Sequence, residues 1–172
     1  MSFPGRWAWN GRGGNTTLSV KNRRHNMVAG LGDMGFSLAL AAVGSALGTG
    51  VAGMAAIGAW KKAFMHNKAA PFILIAFVGA PLSQTIYGFI LKNQIQAANM
   101  PPGSYTYQII LGAIAGLAIG FSAWMQGKAG ARAADALAES GKGFGNYIMV
   151  LGVIETVALF VMVFTMTALP KL

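Results

Sequence analysis

Cysteine is absent from this chain of 172 residues, and charge is scarce: 10% of the residues are charged, and only four are acidic. The lack of cysteine excludes disulfides and thiolate ligands, and two isolated histidines, His25 and His66, do not form a metal site. Hydrophobic residues instead make up 55% of the chain, and the mean hydropathy is +0.54. Because soluble domains carry about 25% charged residues, this composition predicts an integral membrane protein.

The positive charges occupy the amino-terminal segment and short connectors, which is typical of charges at membrane surfaces. They form no basic stripe interleaved with aromatic residues, so the net charge of +9 does not indicate a nucleic-acid partner. Residues 1–31 are basic and contain no apolar run, which excludes a secretory signal and predicts a disordered or interfacial tail. A second interpretation is that the natural chain begins at Met27.

Four apolar segments follow, each long enough to cross roughly 30 Å of hydrocarbon at about 1.5 Å per residue. They cover residues 32–60, 71–98, 104–128 with an alanine-rich extension to 138, and 142–169. The connectors between them are rich in turn residues. The sequence therefore predicts an all-α membrane protein with four transmembrane helices in two tandem helical hairpins, 32–98 and 104–172, joined by the connector 99–103.

The two hairpins are related by an internal repeat. In the second segment of each hairpin the offset is 71, where Thr85 matches Thr156 and Gln84 is the counterpart of Glu155. In the first segment the offset is 77, and seven small residues have identical counterparts: Ser45, Ala46, Gly50, Ala52, Gly53, Ala56 and Ala59 match Ser122, Ala123, Gly127, Ala129, Gly130, Ala133 and Ala136.

Small residues recur every four positions in the first and third segments, at Gly44 and Gly48 and again at Gly112, Gly116 and Gly120. This spacing removes side-chain bulk from one face, so that helix backbones can approach closely. The second and fourth segments are bulkier and contain Phe72, Phe77, Tyr87, Phe89, Phe160 and Phe164. The pattern favours a concentric arrangement, with slender helices inside and bulky helices facing lipid. Generic close packing within one four-helix monomer is the alternative.

Glu155 is the acidic residue that lies near the centre of an apolar segment. Asp33 stands at a helix start, where it can cap, and Asp135 and Glu139 lie beside a connector, so we expect these three to be solvated. A carboxylate at the centre of a span costs on the order of 3 kcal/mol by insertion scales, and such residues usually serve a function. We therefore interpret Glu155 as an ion-binding residue.

Hairpin geometry predicts the neighbours of Glu155, because residues equidistant from the turn of an antiparallel hairpin lie at equal depth. Gln126 and Glu155 are equidistant from the second turn, and the same construction about the first turn pairs Gln84 with Thr49. The repeat brings Gln84, with Ser83 beside it, to the depth of Glu155. A carboxylate, two amides and a hydroxyl are thus expected to share one layer of an apolar bundle.

Oxygen ligands of this kind suit a hard monovalent cation, since one carboxylate neutralises the ion and neutral oxygens complete its coordination. Pro81 cannot donate a backbone hydrogen bond, so the helix around Ala80 is weakened and can present a carbonyl oxygen. Tyr87, one turn after Ser83, can direct its hydroxyl at Glu155. The structural alternative is that the Gln and Ser side chains only bridge helices and that Tyr87 is a packing residue.

Three motifs within residues 32–169 resemble those of a known family: PLSQTIYGF at 81–89, MQGKAGA at 125–131 and IET around Glu155. The family is the four-helix proteolipid, the K or c subunit, that forms the rotor ring of V-type and prokaryotic A/V-type ATPases. Its sodium-translocating members imply a Na+ site formed by the Ala80 carbonyl, Ser83, Gln84, Gln126 and Glu155, with Tyr87 hydrogen-bonded to the glutamate. Two positions depart from the family pattern: residues 80–84 read APLSQ in place of LPGTQ, and Val157 replaces an aromatic residue.

The resemblance further implies a homo-oligomeric ring in lipid, a stator subunit whose arginine attracts Glu155, and a central stalk at the cytoplasmic hairpin turns. It implies a non-catalytic subunit of an ATP-driven complex, in a prokaryotic cytoplasmic membrane, that carries Na+ or alternatively H+; no other cofactor is expected. The lysine and arginine distribution favours this orientation only if the chain begins at Met27. The rival interpretations are a small helical cation transporter and a purely structural membrane protein.

Overall fold

The computed structural model describes residues 31–170, and this part of the chain is built from helices without any strand. Its α-helices are α1 (Phe36–Met65), α2 (Ile75–Gly79), α3 (Ser83–Ala97), α4 (Tyr105–Ser140) and α5 (Phe144–Ala168). Four segments are long and apolar enough to cross a membrane: Phe36–Met65, Phe72–Ala97, Pro102–Ser140 and Phe144–Ala168. The predicted all-α class with four spans is confirmed. The predictions for the basic tail, apart from Leu31, and for Met27 concern residues outside the described range.

The second span is a helix interrupted near its middle, as predicted from Pro81. Helix α2 ends at Gly79, and a short 3-10 turn, Ala80–Leu82, leads into α3 at Ser83. Proline lacks the N–H group that would continue the α-helical pattern, and its ring clashes with the preceding turn. The interruption places Ala80, Ser83 and Gln84 at the junction between two helical pieces.

Helix α4 is longer than its apolar stretch, because the alanine-rich extension continues it without a break to Ser140. Alanine has the highest helix propensity, so this segment remains helical beyond the apolar residues. The helix ends at Gly141, whose φ of 67° lies in the left-handed region that favours glycine. With 36 residues at about 1.5 Å each, α4 is much longer than a hydrocarbon layer is thick.

Helices α1 and α4 make the closest backbone contact in the molecule. A Cβ atom added to Gly44 would collide with the backbone of Gly120, and one added to Gly127 would collide with the backbone of Gly48. The glycines therefore allow the two backbones to touch, as the spacing of small residues predicts. Each helix of this pair comes from a different hairpin, so the contact joins the two halves of the chain.

The repeat is visible in the register of this contact. Neighbouring residues along α1 and α4 are Asp33 with Gly112, Gly44 with Gly120, Gly48 with Gly127, Ala52 with Gly130, and Lys62 with Glu139. The sequence separation within these pairs stays close to the repeat offset. Equivalent parts of the two hairpins thus lie side by side at the same level.

The expectation that Asp33 is solvated is wrong, since this residue is only 1% exposed. Its carboxylate accepts hydrogen bonds from the backbone amides of Gly35 (3.0 Å) and Ser37 (2.8 Å), which confirms its capping role at the start of α1. Gly112 of α4 lies against the carboxylate and leaves the space that the cap occupies. Asp135 and Glu139 are exposed, as expected.

Most bulky side chains of the second span and of α5 face outwards, in agreement with the concentric arrangement. Phe72, Phe89, Phe160 and Phe164 are all exposed. Phe77 is an exception to the expectation, because it is fully buried and packs its ring against Phe144 and Tyr147, with centroid distances of 5.5 and 6.3 Å. The bulk at this position fills the interior where α4 has small residues. A ring of several copies stays a prediction.

Replacing Gly127 by alanine should destabilise the fold, because the new methyl group would meet the backbone of Gly48. Overpacking a close contact costs about 1–3 kcal/mol, so we expect Gly127→Ala to lower the thermal unfolding midpoint of the detergent-purified protein by several degrees. Gly58→Ala is the matched control, since nothing lies within 4 Å of its added Cβ. Equal midpoints for the two variants would contradict the proposed role of the contact.

Candidate ion-binding site

The Glu155 carboxylate lies near the middle of α5 and is half-buried between α5 and the second span. One of its oxygens, Oε1, accepts a hydrogen bond of 2.6 Å from the Tyr87 hydroxyl. The other, Oε2, accepts a hydrogen bond of 3.3 Å from the Gln126 amide nitrogen. The carboxylate is therefore held by one donor from α3 and one from α4.

Gln126 and Gln84 form the fully buried part of the site, with both side chains 0% exposed. The Gln84 amide nitrogen donates to the Gln126 Oε1 atom at 2.8 Å. The Gln126 amide nitrogen also donates to the Leu151 carbonyl at 3.0 Å, one turn before Glu155 on α5. These bonds fix the orientation of Gln126, because its oxygen and its nitrogen are both engaged.

Ser83 extends the network to the interrupted backbone of the second span. Its hydroxyl donates towards the Ala80 carbonyl at 3.0 Å and towards the Gln84 Oε1 atom at 3.2 Å. A hydroxyl has one hydrogen to donate, so these two acceptors compete for it. The fully buried Pro81 lies between Ala80 and Ser83, and its effect on the helix brings the carbonyl and hydroxyl together.

The structure brings all six predicted site residues into one hydrogen-bonded chain: Ala80, Ser83, Gln84, Gln126, Glu155 and Tyr87. The predicted convergence and the approach of the Tyr87 hydroxyl to Glu155 are confirmed, whereas an ion-binding role for these residues stays a prediction. Thr49, expected at the depth of Gln84, does not join the chain. Its hydroxyl has no hydrogen-bond partner among residues 31–170, because Gln84 bonds to Gln126 instead.

Ser122 is a positioning residue that the predicted site does not include. Its hydroxyl donates to the Ile154 carbonyl at 2.9 Å, directly before Glu155. Together with the bond from Gln126 to the Leu151 carbonyl, it ties α4 to the backbone of α5 around the carboxylate. The identity of Ser122 with Ser45 in the repeat is a signal that marks this position.

The charge of Glu155 has no cationic partner within the described part of the chain. The only ion pair there joins Lys62 and Glu139 at 3.0 Å, and both of those side chains are 69% exposed. No group of three or more metal-ligating side chains occurs in residues 31–170. Neutral donors alone surround a half-buried carboxylate, which is an arrangement that a mobile positive ion or a proton can complete.

Removing the Tyr87 hydroxyl should expose Glu155 to chemical modification. Hydrogen bonds to charged groups contribute about 1.5–3 kcal/mol, and Tyr87 makes the shorter of the two side-chain bonds to this carboxylate. We expect Tyr87→Phe to accelerate labelling of Glu155 by a carbodiimide about tenfold, as measured by mass spectrometry of the labelled peptide. Tyr147→Phe is the control, because Tyr147 packs against Phe77 away from the carboxylate. An equal acceleration in both variants would contradict this role.

Comparison with known proteins identifies a relationship for the second hairpin. Residues 109–168, which include most of α4, all of α5, and both Gln126 and Glu155, match the family model of the ATP synthase C subunit. No curated protein matches the chain. The matched region is about a third of the chain, and the first hairpin is related to it by the internal repeat.

Together with four apolar helices, this match supports an integral, multi-pass membrane proteolipid of the ATP synthase c type. It supports an ion-carrying rotor-ring subunit of a rotary ATPase, which is not itself catalytic. Such a subunit acts in a ring of identical copies beside a stator subunit.

Proposed function

We propose that the chain is the proteolipid, the K or c subunit, of a V-type or prokaryotic A/V-type ATPase, and that it carries Na+ by reversible binding at Glu155. The observation that carries this proposal is the hydrogen-bonded chain from the Ala80 carbonyl to Tyr87 around a carboxylate without a cationic partner among the described residues. Glu155 supplies the negative charge, and Ser83, Gln84, Gln126 and the Ala80 carbonyl supply neutral oxygens. Tyr87 holds the carboxylate in place.

The partial exposure of Glu155 supports ion exchange from the side of the bundle. The amides of Gln84 and Gln126 are fully buried, whereas the carboxylate lies at the edge between α3 and α5. A bound cation cancels its charge and allows this face to meet lipid, while an unpaired charge is held back by its desolvation cost. An arginine of the stator subunit would attract the empty carboxylate, and this alternation couples ion transfer to rotation of the ring.

Sodium is favoured over protons by the number of oxygens gathered in one place. A proton requires only the carboxylate, whereas a hard cation requires several oxygen ligands. The Ala80 carbonyl, the Ser83 hydroxyl and the oxygens of Gln84 and Gln126 all lie within one hydrogen-bonded network with Glu155. Two fully buried amides at this point of an apolar bundle have a use in coordinating Na+ that proton transfer would not give them.

The proposed assembly places the two hairpin turns at the cytoplasmic side of a prokaryotic membrane. The turn-side cations of the described residues are Lys61, Lys62, Lys68, Lys128, Arg132 and Lys142, against Lys92 near the opposite end of the second span. Such an excess is typical of cytoplasmic loops. The central-stalk subunit would contact these turns, and the stator subunit would contact Glu155.

Protection of Glu155 by sodium tests the ion. We expect Na+ at neutral pH to slow carbodiimide labelling of Glu155 in the full-length protein, because a bound cation occupies the carboxylate. Gln126→Leu removes one oxygen ligand and should raise the sodium concentration needed for half-protection by roughly tenfold, taking about 1.5–3 kcal/mol for a bond to a charged group. Loss of protection on acidification, with no effect of Na+ at any concentration, would favour H+ instead.

Two carboxyl variants separate this site from general charge effects. Glu155→Gln should abolish both sodium-protected labelling and ion transport by the assembled complex. Glu139→Gln removes an exposed carboxylate that pairs with Lys62 and should leave both unchanged. Transport that persists in Glu155→Gln would favour a purely structural membrane protein.

The oligomeric state tests the rotor-ring proposal independently of the ion. Native mass spectrometry of the detergent-extracted protein should show a large closed assembly whose mass is an integer multiple of the chain mass. A monomer or dimer that still shows sodium-protected labelling would favour the small cation transporter. This measurement therefore distinguishes the assembly from the chemistry of the site.

A further inference from the structure

A row of exposed charged side chains follows one face of the turn-side half of α4. It comprises Lys128, Arg132, Asp135 and Glu139, at spacings that keep them on one side of the helix. Glu139 is paired with Lys62 at 3.0 Å. Among residues 31–170, no carboxylate lies within 4.0 Å of Lys128 or Arg132, so these two cations are not neutralised within the described chain.

The two cations lie at a depth where the neighbouring helix α1 is still apolar. Gly127 contacts Gly48 and Gly130 contacts Ala52, so Lys128 is level with residue 50 of α1. From there to Lys61, the first charged residue of α1, the distance is about 16 Å at 1.5 Å per residue. A lysine or arginine in hydrocarbon reduces membrane insertion by about a hundredfold. A polar or anionic group is therefore needed on this face beside Lys128 and Arg132.

An apolar groove between α1 and α4 ends beside these cations. It has a volume of about 150 Å³ and exists where Gly44 and Gly120 leave no side chain between the helices. The Lys128 amino group lies 4.0 Å from the centre of the Trp124 ring at this end of the groove, an arrangement that favours the cation over the ring face. The remaining lining is apolar and consists of Leu40, Val43, Leu47, Leu117 and Phe121.

We propose that the groove binds an anionic phospholipid, with an acyl chain between α1 and α4 and the phosphate between Lys128 and Arg132. An apolar groove that leads to two cations, unneutralised among residues 31–170, matches the two parts of such a lipid, and basic sites between membrane helices bind acidic headgroups. A second copy of the chain does not match this face, because the same face of that copy would bring its own Lys128 and Arg132 against these cations. The proposal does not depend on which ion Glu155 carries.

Fluorescence of Trp124 reports on the occupant of the groove. The full-length protein is reconstituted into phosphatidylcholine vesicles that contain brominated phosphatidylglycerol or, at equal mole fraction, brominated phosphatidylcholine. The Trp124 signal is the difference between the wild type and Trp124→Phe. We expect the brominated anionic lipid to quench this signal more strongly. The double variant Lys128→Gln/Arg132→Gln should weaken the preference, by about fivefold for each cation removed.

The control is Lys61→Gln/Lys92→Gln, which removes the same charge at positions away from the groove and should keep the preference. Equal quenching of wild-type Trp124 by both lipids would overturn the proposal. A loss of preference in the control as large as in the groove variant would also overturn it, because it would indicate general charge attraction. If neither lipid quenches Trp124 and cross-linking joins this face to a second copy, the groove is a protein interface and the proposal is wrong.

Discussion

The structure depends on how a carboxylate is kept inside an apolar bundle. Glu155 has no cationic partner among the described residues, and its two oxygens accept from Tyr87 and Gln126. A buried charge that is surrounded only by neutral donors is costly, and the cost falls when a positive ion arrives. The closely fixed amides and the interrupted second span are therefore understandable as the surroundings of a charge that is neutralised only part of the time.

The glycine contact between α1 and α4 determines where this charge lies. The register of Gly48 against Gly127 and of Ala52 against Gly130 fixes α4 relative to the first hairpin. Gln126 precedes Gly127 directly, so the same contact sets the depth at which Gln126 meets Gln84 from the second span. Tyr87, Ser83 and Gln84 belong to the first hairpin and Gln126 and Glu155 to the second, so the site requires both halves of the chain.

The spans and the layer of polar residues could be predicted because they follow from hydropathy and from equal spacing about a turn. The burial of Asp33 and Phe77 could not, because each depends on a small residue of α4, namely Gly112 or Gly130, lying directly opposite. Such contacts depend on how the helices are rotated about their axes, which spacing along the chain does not specify. For the same reason the sequence offered Thr49 as a partner of Gln84, whereas the amide turns to Gln126.

The repeat also explains why one chain has one such site. The counterpart of Glu155 in the first hairpin is Gln84, whose neutral amide donates to Gln126 at 2.8 Å and thereby helps to hold the residue that bonds to Glu155. A second carboxylate at position 84 would place two like charges around the same Gln126 side chain, and like charges this close disfavour ionisation of both. The loss of the second acid in the repeat thus converts what would be a competing charge into a donor for the first.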